Sequence, residues 1–136
     1  MSGPSDGELS IDTEGDIVAT RRTVRGLAVN LGFGLTDVTR IVTAASELAR
    51  NVYKYGGGGV MRWRHVRDGA RPGIELQFID HGPGIADIDL ALQEGYSTGR
   101  GLGLGLPAAK RLMDEMDIQS AAGAGTQITL KKWRSS

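Results

Sequence analysis

Between Val38 and Val52 apolar residues return every third or fourth position: Val38, Ile41, Val42, Ala45, Leu48, Ala49 and Val52. That spacing predicts an amphipathic helix starting at Thr36, with Asp37 in its first turn. A looser version of the same period in "DIVATRRTVRGLAVNLG" sets Ile17, Val24, Leu27, Ala28 and Leu31 near one side of an earlier helix, capped at Asp16 and stopped by Gly32 and Gly34. Elsewhere the period falls to two. "GIELQFID" alternates Ile74, Leu76 and Phe78 with Glu75, Gln77 and Ile79, which predicts a strand whose last residue, Asp80, shares the apolar face. "VMRWRHVR" also reads as a strand, with Val60, Arg62, Arg64 and His65 set against Met61, Trp63 and Val66. "ELSID", with Leu9 and Ile11 on one face, predicts a short first strand, and Asp117 to Ala121 and Thr126 to Lys131 predict a closing hairpin across "AGAG". Between them lie a short helical stretch near Ile88 to Leu92, the glycine-rich loop "EGYSTGRGLGLG", and a helix from Pro107 to about Met116 with proline at its first position.

Helices gather in the first half and strands in the second, an order that favours an α+β two-layer sandwich over alternating βαβ winding. With 136 residues, 40% of them hydrophobic, the chain supports one core, and we read residues 8–134 as a single domain behind a polar tail of residues 1–7. Sixteen basic residues balance sixteen acidic ones, so no overall field draws the protein to nucleic acid or to an anionic membrane. Cysteine is absent, which excludes disulfides and thiolate metal sites, and His65 and His81 make a poor metal constellation. No apolar run approaches the roughly 20 residues that span a bilayer, and "MSGPSDGELS" lacks the basic flank and apolar middle of a signal peptide. These features together predict a cytoplasmic protein. The 21 glycines are the outlier, concentrated from Gly56 onward at what look like chosen positions.

Three local features carry possible chemistry. In "SELARN", Glu47 and Asn51 lie one helical turn apart on one face, away from the apolar stripe. A solvated face, with Glu47 paired to Arg50 or Lys54, accounts for them; so does a site where oxygen donors hold magnesium and the carboxylate activates a hydroxyl. In "DHGPG" the glycines suit an ordinary turn. Asp80, however, needs hydrogen-bond donors on the apolar face: either backbone N–H groups, or a ligand such as the adenine amino group. Guanine would set a carbonyl against the carboxylate, and an unsatisfied pair of that kind costs roughly 1–3 kcal/mol, enough to favour ATP over GTP by about tenfold or more. Finally, Gly99, Gly101, Gly103 and Gly105 precede a helix start, where free N–H groups and the helix dipole attract phosphate; a loop without a ligand fits equally. The spacing matches neither a P-loop nor a dinucleotide fingerprint. Arg100 within the loop, and Tyr96, Ser97 and Thr98 before it, add possible phosphate or lid contacts.

In order and spacing the motifs resemble the boxes of the GHKL superfamily of ATPases and kinases. "ELARN" is similar to the N box, "DHGPGI" to the first glycine box, "GRGLGLGLP" to the second and "GAGTQI" to the final glycine-threonine box. Within it, "DIVATRR", "LGFG", "SELARN", "GYSTGRGLG" and "LPAAKRLMDE" resemble the RsbT-type serine/threonine switch kinases. The resemblance runs from about Leu9 to Trp133. It implies a Bergerat fold, a mixed sheet packed against about three helices, binding ATP with Mg2+ under a lid. It implies Asn51 as magnesium ligand, Glu47 as the base, and Asp80 on the adenine amino group with Thr126 in support. Gly82 and Gly84 would shape the adenine pocket, and the segment Gly101, Leu102, Gly103, Leu104 and Gly105 the phosphate lid. Arg50 and Arg100, with Ser97 and Thr98, are added as phosphate contacts. The partners implied are STAS-domain antagonist and scaffold proteins, phosphorylated on serine or threonine, and a downstream PP2C-type phosphatase or other output protein.

Two other readings share the fold. An anti-sigma factor kinase would hold a sigma subunit, and a non-catalytic module would use ATP only to order its lid. A histidine-kinase catalytic domain fits less well, because no helical hairpin carries an acceptor histidine; His65 is placed in a strand and His81 in a turn.

Overall fold

The computed structural model describes residues 6–85 and 105–135. Its elements run β1 (Gly7–Ile11), α1 (Glu14–Asn30), α2 (Leu35–Lys54), β2 (Gly59–Asp68), β3 (Arg71–Asp80), α3 (Leu106–Leu112), β4 (Glu115–Ser120) and β5 (Thr126–Trp133). The expected short helix near Ile88 to Leu92 lies outside the described residues, as does the glycine-rich loop up to Leu104.

Thr13, not Asp16, caps α1. Its hydroxyl accepts from the Asp16 N–H at 3.2 Å, while the Asp16 carboxylate reaches back to the N–H groups of Asp12 at 2.9 Å and Thr13 at 3.1 Å. Asp16 is therefore the third-residue partner of a capping box, a role that an acidic side chain before an apolar run also fits. The Asp12 N–H, helped by the Thr13 N–H and hydroxyl, holds the Asp16 carboxyl below the usual carboxylate range. The second helix begins at Leu35 behind Gly34, one residue before the expected start, and buries Val38, Ile41, Val42, Ala45, Leu48, Ala49 and Val52 as its period predicts.

The third helix departs from the sequence reading. It ends at Leu112, and Pro107 is its second residue behind Leu106. Met113 turns extended (φ −106°, ψ 163°), after which β4 pairs Met116 with Leu130 and Ile118 with Ile128. The strand alternation of Met116 and Ile118 thus prevails over a helical continuation. The buried Lys132 ends the helix by donating from Nζ to the Leu112 carbonyl at 2.8 Å, a favourable place for a cation at the negative pole of a helix.

The five strands form one sheet in the order β1-β2-β3-β5-β4. All four pairings are antiparallel among the described residues, where the resemblance implied a mixed sheet. Two tight hairpin connections, β2 to β3 and β4 to β5, can join only antiparallel neighbours. Directly opposed residues share a face, so the register sorts the side chains. One face carries Ile11, Leu9, Met61, Trp63, Ile74, Leu76, Phe78, Ile128 and Leu130 and packs under the helices. Strict alternation places His65 on that side with Met61 and Trp63, and Val66 on the other, the reverse of the sequence assignment for these two. The opposite face is charged: Arg62 binds Glu8 at 3.0 Å, and Arg64 binds the buried Glu75 at 2.7 Å. The Glu75 hydrogen bond and charge raise the pKa of Arg64. No helix among the described residues is long and apolar enough to cross a membrane.

Candidate functional site

Glu47 and Asn51 stand on the C-terminal half of α2, flanking its buried stripe of Leu48 and Val52. Glu47 is a third exposed and meets Arg50 at 3.6 Å, so the ion pair foreseen for a solvated face is present but loose. Exposed pairs of this kind are worth little, which leaves both side chains able to take other partners. Asn51 does not face open solvent as its spacing suggested: its side-chain oxygen is shielded from water. Packing against neighbouring elements, which helix period does not register, encloses it. Its backbone carbonyl accepts from Tyr55 at 2.9 Å and Gly56 at 3.0 Å, closing α2.

Gly105 brings the far end of the glycine-rich loop to this helix. It adopts a left-handed conformation (φ 70°) as the residue before α3, and a Cβ there would stand 2.7 Å from both Cβ and Oε1 of Glu47. Only glycine meets both conditions, the backbone angle and the space beside the carboxylate. The other loop residues, Ser97, Thr98, Arg100, Gly101, Leu102, Gly103 and Leu104, lie outside the described residues.

Asp80 ends β3, opposed by Gly59 on β2 and Thr126 on β5. The register puts it on the helix-facing side with Leu76 and Phe78, as its spacing predicted. Its Oδ1 accepts from the Gly82 N–H at 2.9 Å, while Oδ2 has no hydrogen-bond partner among the described residues. The loop after α2 lies beneath it: a Cβ on Gly56 would fall 2.5 Å from Asp80 Cγ, and one on Gly82 would fall 2.7 Å from the Gly56 Cα. The turn after Asp80 is tied to the β4–β5 hairpin. Gly123 N–H donates to the Pro83 carbonyl at 2.6 Å, Ile85 N–H donates to Ser120 Oγ at 2.8 Å, and Gly84 (φ 78°) packs against the Ala121 and Gly125 carbonyls. A cleft of about 460 Å³ adjoins this end of the sheet, lined by Ile79, Gln119 and Gln127 from the face away from the helices as well as by Asp80, Ser120 and Thr126.

Ser120 was not singled out by the sequence reading, which ended the first strand of the hairpin one residue further on, at Ala121. The signal was present, since Met116, Ile118 and Ser120 alternate, and a hydroxyl on an apolar face needs partners. Gly56 was read only as a helix stop, and its approach to Asp80 depends on packing across the chain.

The donors present suit a hard divalent ion held largely by its ligand. Glu47 and Asn51 offer oxygens, and no group of three His, Cys, Asp or Glu among the described residues could cage a metal unaided. Magnesium characteristically takes one or two protein oxygens beside substrate phosphates and water.

Residues 10–132 match the histidine kinase-like ATPase domain family. The chain is 50% identical over 125 residues to the serine/threonine-protein kinase RsbT of Bacillus subtilis, covering 92% of this chain and 94% of that protein. It is 29% identical over 119 residues to an anti-sigma F factor of Thermoanaerobacter, covering 83% and 82% respectively. Among solved structures, the RsbU and RsbW domains of a Mycobacterium tuberculosis protein superpose with a TM-score of 0.62 at 23% identity, over 96% of this chain and 34% of that one, a likeness of fold.

Proposed function

The chain belongs to the histidine kinase-like ATPase domain family, and we propose that within it the protein is an ATP-dependent serine/threonine kinase of a partner-switching module. The observation that carries this reading is the placement of Gly105 against Glu47, which joins the end of the glycine-rich loop to the helix bearing Glu47 and Asn51. The proposal takes residues 8–134 as the kinase domain, joined by Gly7 of the expected tail, which as part of β1 pairs with Trp63, and the cytoplasm as its place of action.

Asp80 receives the adenine amino group, supported by Thr126, in a pocket shaped by Gly82 and Gly84. Gly101, Leu102, Gly103, Leu104 and Gly105 cover the phosphates, with Arg100, Ser97 and Thr98 as further contacts. Arg50 leaves its loose pair with Glu47 for a phosphate oxygen, and Glu47 then takes the proton from the acceptor hydroxyl. Asn51 would hold Mg2+, whose charge, when bound, offsets that of the phosphates. The remaining catalysis is positioning and charge stabilisation by this chain.

The acceptor hydroxyl belongs to a STAS-domain antagonist or scaffold protein, and release from it lets the kinase engage an output protein such as a PP2C-type phosphatase. The higher identity to the RsbT kinase than to the anti-sigma F factor supports this order of preference. Labelled-phosphate transfer to a STAS-domain protein, run beside nucleotide titration, is the test. Glu47→Ala is expected to keep nucleotide affinity and lose transfer by about 10²–10⁴-fold, the usual range for a positioned base. Undiminished transfer by that variant would overturn the assignment of the base.

A further inference from the structure

We infer that Ser120 is a specificity-determining residue of the base pocket: its hydroxyl orients that of Thr126 so that an oxygen lone pair, and not a hydrogen, faces the bound base. The inference rests on the reading of the Asp80 end as the base pocket.

Ser120 Oγ has three polar neighbours, the Ile85 N–H at 2.8 Å, the Gly125 carbonyl at 2.9 Å and the Thr126 hydroxyl at 2.9 Å. A serine hydroxyl carries one hydrogen and two lone pairs. The Ile85 N–H can only donate and the Gly125 carbonyl can only accept. Ser120 therefore gives its hydrogen to Gly125 and one lone pair to Ile85. Its second lone pair is left for Thr126, which must donate. No other arrangement satisfies all three contacts. The hydrogen of Thr126 is thus directed at Ser120, and its oxygen remains an acceptor.

Thr126 lies directly opposite Asp80 on the helix-facing side of the sheet. Asp80 Oδ1 is engaged by Gly82, and Oδ2 has no hydrogen-bond partner among the described residues. This end of the helix-facing side then presents two acceptors, Asp80 and Thr126. An exocyclic amino group, as in adenine, offers hydrogens to such a pair. The carbonyl of guanine meets lone pairs at both, and with Ser120 present Thr126 cannot rotate its hydrogen toward that carbonyl without abandoning a partly buried bond. Removing Ser120 frees the rotation, so discrimination falls even though Asp80 is intact.

The test is titration of the full-length protein with fluorescent ATP and GTP analogues. Ser120→Ala is expected to lower the ATP-to-GTP affinity ratio by about tenfold, the scale of one mismatched polar contact. Ser120→Thr, which keeps the hydroxyl, is expected to retain most of the wild-type ratio. Equal weakening of both nucleotides by Ser120→Ala, with the ratio unmoved, assigns Ser120 a merely structural role and overturns the inference. In a Thr126→Val background Ser120→Ala should not change the ratio further; a further fall would mean that Ser120 acts by another route. Should Ser120→Ala fail to fold, Thr126→Val alone decides, because an unaltered ratio in that variant is incompatible with the proposal. Asp80→Asn separates the two levels. If it leaves ATP affinity intact, the pocket itself is misread and the inference falls with it; if it weakens ATP while Ser120→Ala spares the ratio, only the role of Ser120 fails.

Discussion

The helix-facing side of the sheet carries a polar group at each end, and the two ends treat it differently. At one end Lys132 is nearly buried and fully engaged, donating to the Leu112 carbonyl at 2.8 Å with Asp114 at 3.7 Å and Asp37 at 3.8 Å. At the other, Asp80 has a single internal hydrogen bond, from Gly82, and a second oxygen with no such partner among the described residues. Both obey the rule that a polar group on an apolar face must find partners. The Lys132 end finds them within the fold and so binds α3 to the N-terminal turn of α2. The Asp80 end leaves capacity for a ligand. An incompletely satisfied carboxylate on an apolar face is therefore what the proposed binding site rests on, and polarity alone does not distinguish it from Lys132.

That contrast can be broken from either side. Asp80→Asn should reduce ATP affinity by about tenfold or more, on the scale of 1–3 kcal/mol for a lost buried polar contact, while leaving the thermal midpoint nearly unchanged. A large fall in the midpoint would instead make Asp80 structural, like Lys132. Lys132→Met should do the opposite, lowering stability by about 2 kcal/mol in chemical denaturation because a charge-assisted bond to the end of α3 is lost, with ATP affinity of the folded protein retained. If ATP affinity fell as much as stability, the two ends would be coupled through α3.

Away from both ends, Thr13→Ala should cost about 1 kcal/mol, the usual worth of a helix cap, with no effect on nucleotide binding. The smallest effect expected is that of acid on the same cap. Because the folded-state pKa of Asp16 lies below its unfolded value, its contribution to stability is complete above the unfolded pKa and disappears as pH falls through the folded one. Asp16→Asn should flatten the acid limb of a stability-against-pH curve, and an unaltered limb would show that the capping carboxylate is not linked to folding.

Much of this was legible in the chain. The face of Asp80 followed from period two, and the one-turn spacing of Glu47 and Asn51 from period three and a half, because both depend only on neighbouring residues. The end of α3 was not, since "MDEMD" suits a helix until Met116 and Ile118 find Leu130 and Ile128 opposite them. Nor was the N-cap of α1, read at Asp16, which the reciprocal hydrogen bonds of Thr13 and Asp16 move to Thr13.

By itself the sequence determined the α+β order of elements, the apolar stripe of α2 and the orientation of Asp80. The tertiary structure alone decided that Gly105 lies against Glu47, that Ser120 joins Ile85, Gly125 and Thr126 through one hydroxyl, and that Lys132 closes α3. The physical reason is range. Side-chain period is a local property of the backbone, whereas the partner of a buried hydroxyl or ammonium is chosen by strand register and helix packing between residues far apart in the chain.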